Sequence, residues 1–248
     1  RADRPKLSPN HGGNAGPMAG RGKILGSFAE AVEDMPDGAV IAFGGFAGPG
    51  TPYNLIRALL AQGAKDLTCV ANTTGGAHQP RMPDVAMLVE NRQVRKVICS
   101  FTAANRPTDV IPFTRYHEAG EVEAELVPQG TLAERLRAAG AGIPAFYTPT
   151  AVGTELAEGR ETRVINGREY LLEYALPVDV ALIRAWKADA AGNLVFRLAQ
   201  RNFCPIMAMA AKLTIAEVEE EILPAGALDP DHIHLPGMFV QRMVKVPP

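Results

Sequence analysis

The sequence predicts an α/β protein: an open, largely parallel sheet with flanking helices, joined to a β-rich C-terminal part. Three observations point there. Between Ser27 and Gly140, short apolar runs alternate with helical patterns, the order that a parallel sheet with crossover helices needs. A glycine-rich turn, Gly44 to Gly50, joins the first of those runs to a helix start. Further on, Asn166-Gly167 lies between two β-like runs, and that pair marks a hairpin because both turn positions need positive φ.

The elements follow in order. Residues 1–22 are rich in Gly, Pro, Asn and basic side chains without apolar period, so they read as a mobile extension with no signal-peptide core. Residues 23–248 read as one folded domain. Phe28, Ala31, Val32 and Met35 suit an amphipathic helix that feeds the Pro36-Asp37-Gly38 turn. Val40–Phe43 is a buried strand, and Thr51 with Pro52 opens a helix whose core face, Leu55, Leu59 and Leu60, stops at Gly63. Leu67–Ala71 is a second strand, closing at Asn72; Asp84 caps a helix through Val89; Val97–Phe101 is a third strand. Val122, Ala124 and Leu126 alternate toward Pro128-Gln129-Gly130, and Thr131 with Glu134 forms a capping box for a helix to Gly140. Val180–Ile183, Leu194–Leu198 and Leu213–Val218 supply later strands, with no linker between them to define a second domain.

Composition excludes several classes. The 248 residues are 47% apolar with net charge −2, enough for one α/β core and without the basic surface that nucleic acid demands. No apolar stretch approaches the ~20 residues of a membrane span. Cys69, Cys99 and Cys204 are three thiols at unrelated spacings, two of them inside strands. That pattern suits a reducing cytoplasm and neither a disulfide frame nor a zinc site.

Ligands of such sheets bind beyond the carboxyl ends of the strands. Gly44, Asn72, Phe101 to Asn105 and Gln129 all stand there. One crevice therefore gathers a glycine backbone and two neutral amides, groups suited to an acyl oxygen or carboxylate without a metal. A dinucleotide fingerprint fails because Tyr53 stands where the third glycine belongs, and no Lys-Ser or Lys-Thr completes a phosphate loop. His232 and His234 would share one strand face but have no third ligand near. Glu217 and the run Glu219 to Glu221 read as a solvated edge, Trp186 as core, and Asp66, Ser100 and His117 do not assemble a nucleophile triad.

The string Asp37-Gly38, Ile41 to Phe43, Gly44-Gly45-Phe46, Gly50 and Pro52 resembles, residue by residue, the alpha (A) subunit signature of family I coenzyme A transferases. The resemblance runs from about Lys23 to Lys245. It includes Pro128 to Arg135, Gly142 to Thr150, Ala185 to Asp189, Ala191-Gly192-Asn193 and Arg201-Asn202-Phe203, and it is strongest to the succinyl-CoA:3-ketoacid group. It implies the CoA transferase (NagB-like) fold and transfer of CoA between an acyl-CoA and a free carboxylate. The covalent intermediate forms on a glutamate of a partner B subunit, in an (αβ)₂ assembly. Coenzyme A and acyl-CoA would be substrates, with no permanently bound cofactor and no metal. Gln129 would donate to the acyl oxygen and Asn72 would face the substrate carboxylate. Thr73, in place of a second asparagine, and Asn105 would border the substrate. Gly44, Gly45, Phe46, Ala47, Gly48, Pro49 and Gly50 would contact CoA. The stretches Gly76 to Pro83 and Arg106 to Tyr116 are longer than the family's loops, which points to an acyl group larger or less polar than succinyl, with Arg106 or Arg115 as candidate carboxylate forks. Two readings stay beside transfer: a CoA-thioester or ring-opening hydrolase on the same fold, and a non-catalytic small-ligand sensor.

Overall fold

Val40–Phe43 (β1) is a strand of apolar side chains, its last three buried, as a strand covered on both faces must be. It stands inside a seven-stranded sheet in the computed structural model, which describes residues 22–76, 82–103 and 110–247. The proposed extension, residues 1–22, thus lies outside the described residues except for Gly22. Phe28–Val32 (α1) precedes β1, with the Ser27 hydroxyl accepting from Glu30 N–H. After β1 come Tyr53–Gln62 (α2), Leu67–Thr73 (β2), Val85–Glu90 (α3) and Val94–Phe101 (β3). Pro112–Glu118 (α4), Glu123–Leu126 (β4) and Gln129–Gly140 (α5) continue the alternation. Ala145–Thr148 (β5), Thr162–Ile165 (β6) and Arg168–Tyr174 (β7) form an antiparallel sheet in the order β5-β7-β6. The β6–β7 turn is the expected hairpin, with φ of 51° at Asn166 and 76° at Gly167. Val178–Ala185 (β8), Lys187–Asp189 (β9), Leu194–Val195 (β10), Cys204–Ala210 (α6), Ala211–Val218 (β11), Ile222–Leu223 (β12) and Arg242–Lys245 (β13) complete the chain.

The large sheet has the order β13-β11-β8-β1-β2-β3-β4, and every neighbouring pair is parallel. From β1 the chain winds outward through β2, β3 and β4, then returns to the other side of β1 with β8, β11 and β13. The order therefore reverses between β1 and β8, where open α/β sheets leave a crevice at their carboxyl ends. One face packs Ile41, Phe43, Cys69 and Val97 under α1 to α4; the other packs Ala42, Val70 and Ile98 under α5 and α6. The three cysteines are buried free thiols. Burial pushes Cys99 up to about 11 and Cys204 up to about 12, so neither is a thiolate near neutral pH.

Several expectations are corrected. Helix α2 begins at Tyr53 and its Pro52 cap position has no side-chain bond, so Thr51 does not cap it. Helix α5 begins at Gln129: Leu132 N–H already donates to the Pro128 carbonyl at 2.8 Å. Thr131 is consequently buried in the first turn, and Glu134 pairs with Arg137 in place of a capping box. Strand β10 stops at Val195, and Leu198, at φ 51°, opens a short 3₁₀ turn. Within the longer-than-family stretch that begins at Arg106, residues from Pro112 onward form α4.

Helix α5 is tied to the sheet by Glu125 of β4, which takes Lys96 of β3 at 2.6 Å and Arg135 of α5 at 2.8 Å. Burial alone would raise this carboxyl; hydrogen bonds from Lys96 and Arg135 overcome that and hold it below the usual range. A carboxylate depressed on folding contributes stability above its unfolded pKa and loses it as pH falls through the folded value. Glu125→Gln is expected to cost about 1 kcal/mol in urea unfolding at pH 7, with the difference from wild type closing in strong acid. Identical midpoints at pH 7 would show that this bridge contributes nothing.

Candidate active site

The turn after β1 is built so that backbone, not side chains, faces the crevice. Gly44 N–H extends the sheet to the Leu182 carbonyl at 2.9 Å, and a Cβ there would lie 2.7 Å from Cys204 Sγ. Gly45 sits at φ 115°, and a Cβ on it would strike the Thr51 hydroxyl. Phe46 N–H donates to the Pro49 carbonyl and Thr51 N–H to the Gly48 carbonyl, each at 3.1 Å. Asn202 then clamps the turn from outside, its Oδ1 accepting from Gly45 N–H at 3.2 Å and its Nδ2 donating to the Pro49 carbonyl at 2.8 Å. Among the described residues, the amides of Ala47 and Gly48 have no hydrogen-bond partner. Gly45→Ala is expected to destabilise the fold by about 2 kcal/mol, because left-handed strain and the Thr51 clash act together. A thermal melt unchanged by that substitution would contradict this.

The helix start beside the turn is not open to a ligand. Glu217 of β11 is wholly buried, and its Oε2 accepts from Asn54 N–H at 2.9 Å and Leu55 N–H at 3.1 Å, the first turn of α2. Its other oxygen meets Arg184 Nη1 at 2.6 Å, while Arg184 Nε holds Glu219 at 2.7 Å. Burial pushes the Glu217 carboxyl up, and Arg184 with the two amides pulls it back only in part. The reading of Glu217 as a solvated edge is therefore overturned: it is the cap that Thr51 does not supply. Glu220 and Glu221 are exposed.

The two amides meet. Strand β2 runs past Ala71 to Thr73, which leaves Asn72 buried in its last turn of pleat. Gln129, exposed at the first position of α5, donates from Nε2 to Asn72 Oδ1 at 2.6 Å. Asn72 and Thr73 also line a cavity of about 150 Å³ together with the glycine turn, Ile56, Val85 and Phe101. Thr73 Oγ1 accepts from Gly75 N–H at 3.2 Å. On the far side of the turn, a groove of about 520 Å³ runs along Arg184, Arg197 and Leu198. Among the described residues lining the cavity, Asp84 is the one carboxylate. It is committed to Gly76 N–H at 2.7 Å and, as the α3 cap, to Ala86 N–H at 3.0 Å. Asn105 and Arg106 lie outside the described residues.

Other expectations resolve away from the crevice. Arg115 is exposed and lies over its neighbour Tyr116, 5.9 Å from the ring centroid. His232 is in a 3₁₀ turn and pairs with Asp229, while His234 Nδ1 accepts from Phe196 N–H, so they do not share a strand face. The described residues hold no group of three or more His, Cys, Asp or Glu placed to bind a metal. Trp186 is not core: it is half-buried, with Lys187 Nζ 4.0 Å and the Arg197 guanidinium 5.9 Å from its ring centroid. Among the described residues no helix is long and apolar enough to cross a membrane. Sequence reading missed two groups outright, Asn202 as the clamp and Glu217 as the cap; Asn202 stood only inside a matched motif.

The family model for coenzyme A transferase matches residues 26–246. This chain belongs to the coenzyme A transferase family. The A chain of a probable succinyl-CoA:3-ketoacid coenzyme A transferase of Bacillus subtilis is 51% identical over 225 residues, 90% of each chain. The corresponding A chain of a 3-oxoadipate CoA-transferase of Pseudomonas putida is also 51% identical, over 90% of this chain and 94% of its own. Among solved structures, this transferase-family chain is similar to the glutaconate coenzyme A-transferase of Acidaminococcus fermentans, with a TM-score of 0.74 at 26% identity, covering 91% of this chain and 76% of that one. It is equally similar to a variant of the decarboxylase AibA/AibB, with a TM-score of 0.74 at 30% identity, over 92% of this chain and 84% of that one.

Proposed function

We propose that this chain is the A component of a CoA transferase that moves CoA from an acyl-CoA to a free carboxylate, with the nucleophilic glutamate brought by a companion B chain. One observation carries the reading: the crevice presents a coupled amide pair, Gln129 and Asn72, beside free backbone N–H groups, while Asp84, the one described carboxylate lining it, is already bonded. Such a wall binds and polarises an acyl group but cannot attack it. The companion's carboxylate attacks the thioester carbonyl, the C–S bond breaks, and CoA leaves as thiolate from an acyl-glutamyl anhydride. The thiolate then attacks the glutamyl carbonyl and expels the first carboxylate; the acceptor carboxylate reverses both steps.

In this reading Gln129 donates to the oxyanion as it forms, an interaction worth about 3 kcal/mol in a water-poor site. Asn72 orients Gln129 and, with Thr73 and Asn105, borders the acyl group. Residues 44–50 guide CoA, with Ala47 and Gly48 N–H as donors. CoA enters and leaves as substrate, and no group stays bound. The relatives' names, succinyl-CoA:3-ketoacid and 3-oxoadipate transferases, support 3-oxo acids or dicarboxylates as acyl groups, in an (αβ)₂ assembly in the cytoplasm.

The test is co-expression with a companion B chain and an assay of acyl-CoA with acetate, succinate or acetoacetate. Exchange of CoA between carboxylates without net loss is the expected result. Accumulation of free CoA alone would replace transfer with hydrolysis, release of CO₂ with decarboxylation, and binding without turnover with sensing.

A further inference from the structure

The Gln129–Asn72 hydrogen bond crosses a strand. Asn72 belongs to β2 and Gln129 follows β4, with β3 between them, so the two side chains arch over about two strand spacings of ~4.8 Å each. The residue of β3 beneath the arch is Ser100. Register pairs Ala71 with Cys99 and Thr73 with Phe101, which sets Asn72 beside Ser100. On the other flank Val127 N–H donates to the Cys99 carbonyl at 2.9 Å, bringing the turn into α5 alongside. Alternation places Asn72 and Ser100 on the face of Val70 and Ile98, which α5 covers.

Ser100 Oγ is sealed from solvent and has no hydrogen-bond partner. A buried hydroxyl left unpaired costs about 1–3 kcal/mol, and alanine at the same position would avoid that cost. The hydroxyl lies under the one pair of side chains that must rearrange when substrate binds. As the amides stand, Gln129 gives one N–H to Asn72 Oδ1. When Gln129 turns to an acyl oxygen, that Asn72 oxygen loses its donor while still buried.

We propose that Ser100 is a positioning residue whose O–H takes over as donor to Asn72 Oδ1 when Gln129 engages the substrate. Asn72 then keeps its orientation through the reaction, and Gln129 is released without orphaning a buried acceptor. The inference rests on the transferase reading and adds a residue to it.

The test uses the complex of both chains and the substitutions Ser100→Ala and Gln129→Ala, alone and together. Ser100→Ala is expected to lower kcat about tenfold, to change KM less than twofold, and to leave the melting temperature equal or higher. In the Gln129→Ala background the further loss from Ser100→Ala is expected to vanish, since there is no donor to replace. An unchanged kcat, a loss that persists in full without Gln129, or a lowered melting temperature would each overturn the proposal, the last by showing a hydroxyl already bonded in the resting fold. The melting temperature reads independently of turnover. A wild-type complex that fails to exchange CoA would count against the transferase reading, and the melting data would still decide whether the Ser100 hydroxyl is unpaired.

Discussion

Replacing Gln129 by alanine in the two-chain complex is expected to lower kcat by about 100-fold with the fold intact. The size follows from what one preorganised donor contributes to a developing oxyanion, roughly 3 kcal/mol, because it strengthens as charge builds and needs no reorganisation. The side chain contributes little to folding. It is exposed, its side-chain partner is Asn72, and α5 starts from the backbone of Pro128. The loss should therefore appear at saturating substrate, in kcat and kcat/KM alike. Steady-state kinetics beside a thermal melt check this; full activity in the variant would remove Gln129 from the chemistry.

Glu217→Ala is expected to have the largest effect on stability, about 3–5 kcal/mol, for a reason unrelated to catalysis. It would strip Arg184, whose side chain is only 19% exposed, of one of its two carboxylates and leave the Asn54 and Leu55 amides without an acceptor in the core. Removing one member of a buried pair costs far more than the pair is worth, since an uncompensated charge remains. The double replacement Arg184→Met with Glu217→Met should accordingly recover a large part of the loss. Urea unfolding with an unchanged slope measures both; a double variant as unstable as the sum of the singles would contradict this account. Because Glu217 fixes the start of α2 directly after the glycine turn, the single variant should also lose CoA exchange, even below its melting temperature.

The part of the site legible in the sequence is what topology dictates. An apolar run ending in glycines, and amides at the ends of predicted strands, placed Asn72, Gln129 and the 44–50 turn in one crevice, and the structure brings them together. What was illegible depends on partners distant along the chain or on signals of equal local strength. Thr51 reads as a cap until Glu217, over 160 residues later, is seen to occupy the same amides. Thr131 and Glu134 satisfy a capping pattern, but Pro128, at φ −51°, has already turned the chain into helix. Helix α6, Cys-Pro-Ile-Met-Ala-Met-Ala, is apolar all round, so no helical stripe distinguishes it from a buried strand. Trp186 reads as core from its size, yet its indole N–H donates to Glu220 and its ring carries two cations at the surface. Asn202 has no local signature: its clamp exists only because β8 and α6 bring it to the glycine turn.

The most direct measurement of whether this chain supplies the amides and its companion the nucleophile is to locate the covalent intermediate. The two-chain complex is incubated with acyl-CoA alone, quenched in acid, and each chain is weighed by mass spectrometry. The account predicts a CoA adduct on a glutamate of the companion and an unmodified mass for this chain. An adduct on this chain, or exchange catalysed by it unaided, would contradict it.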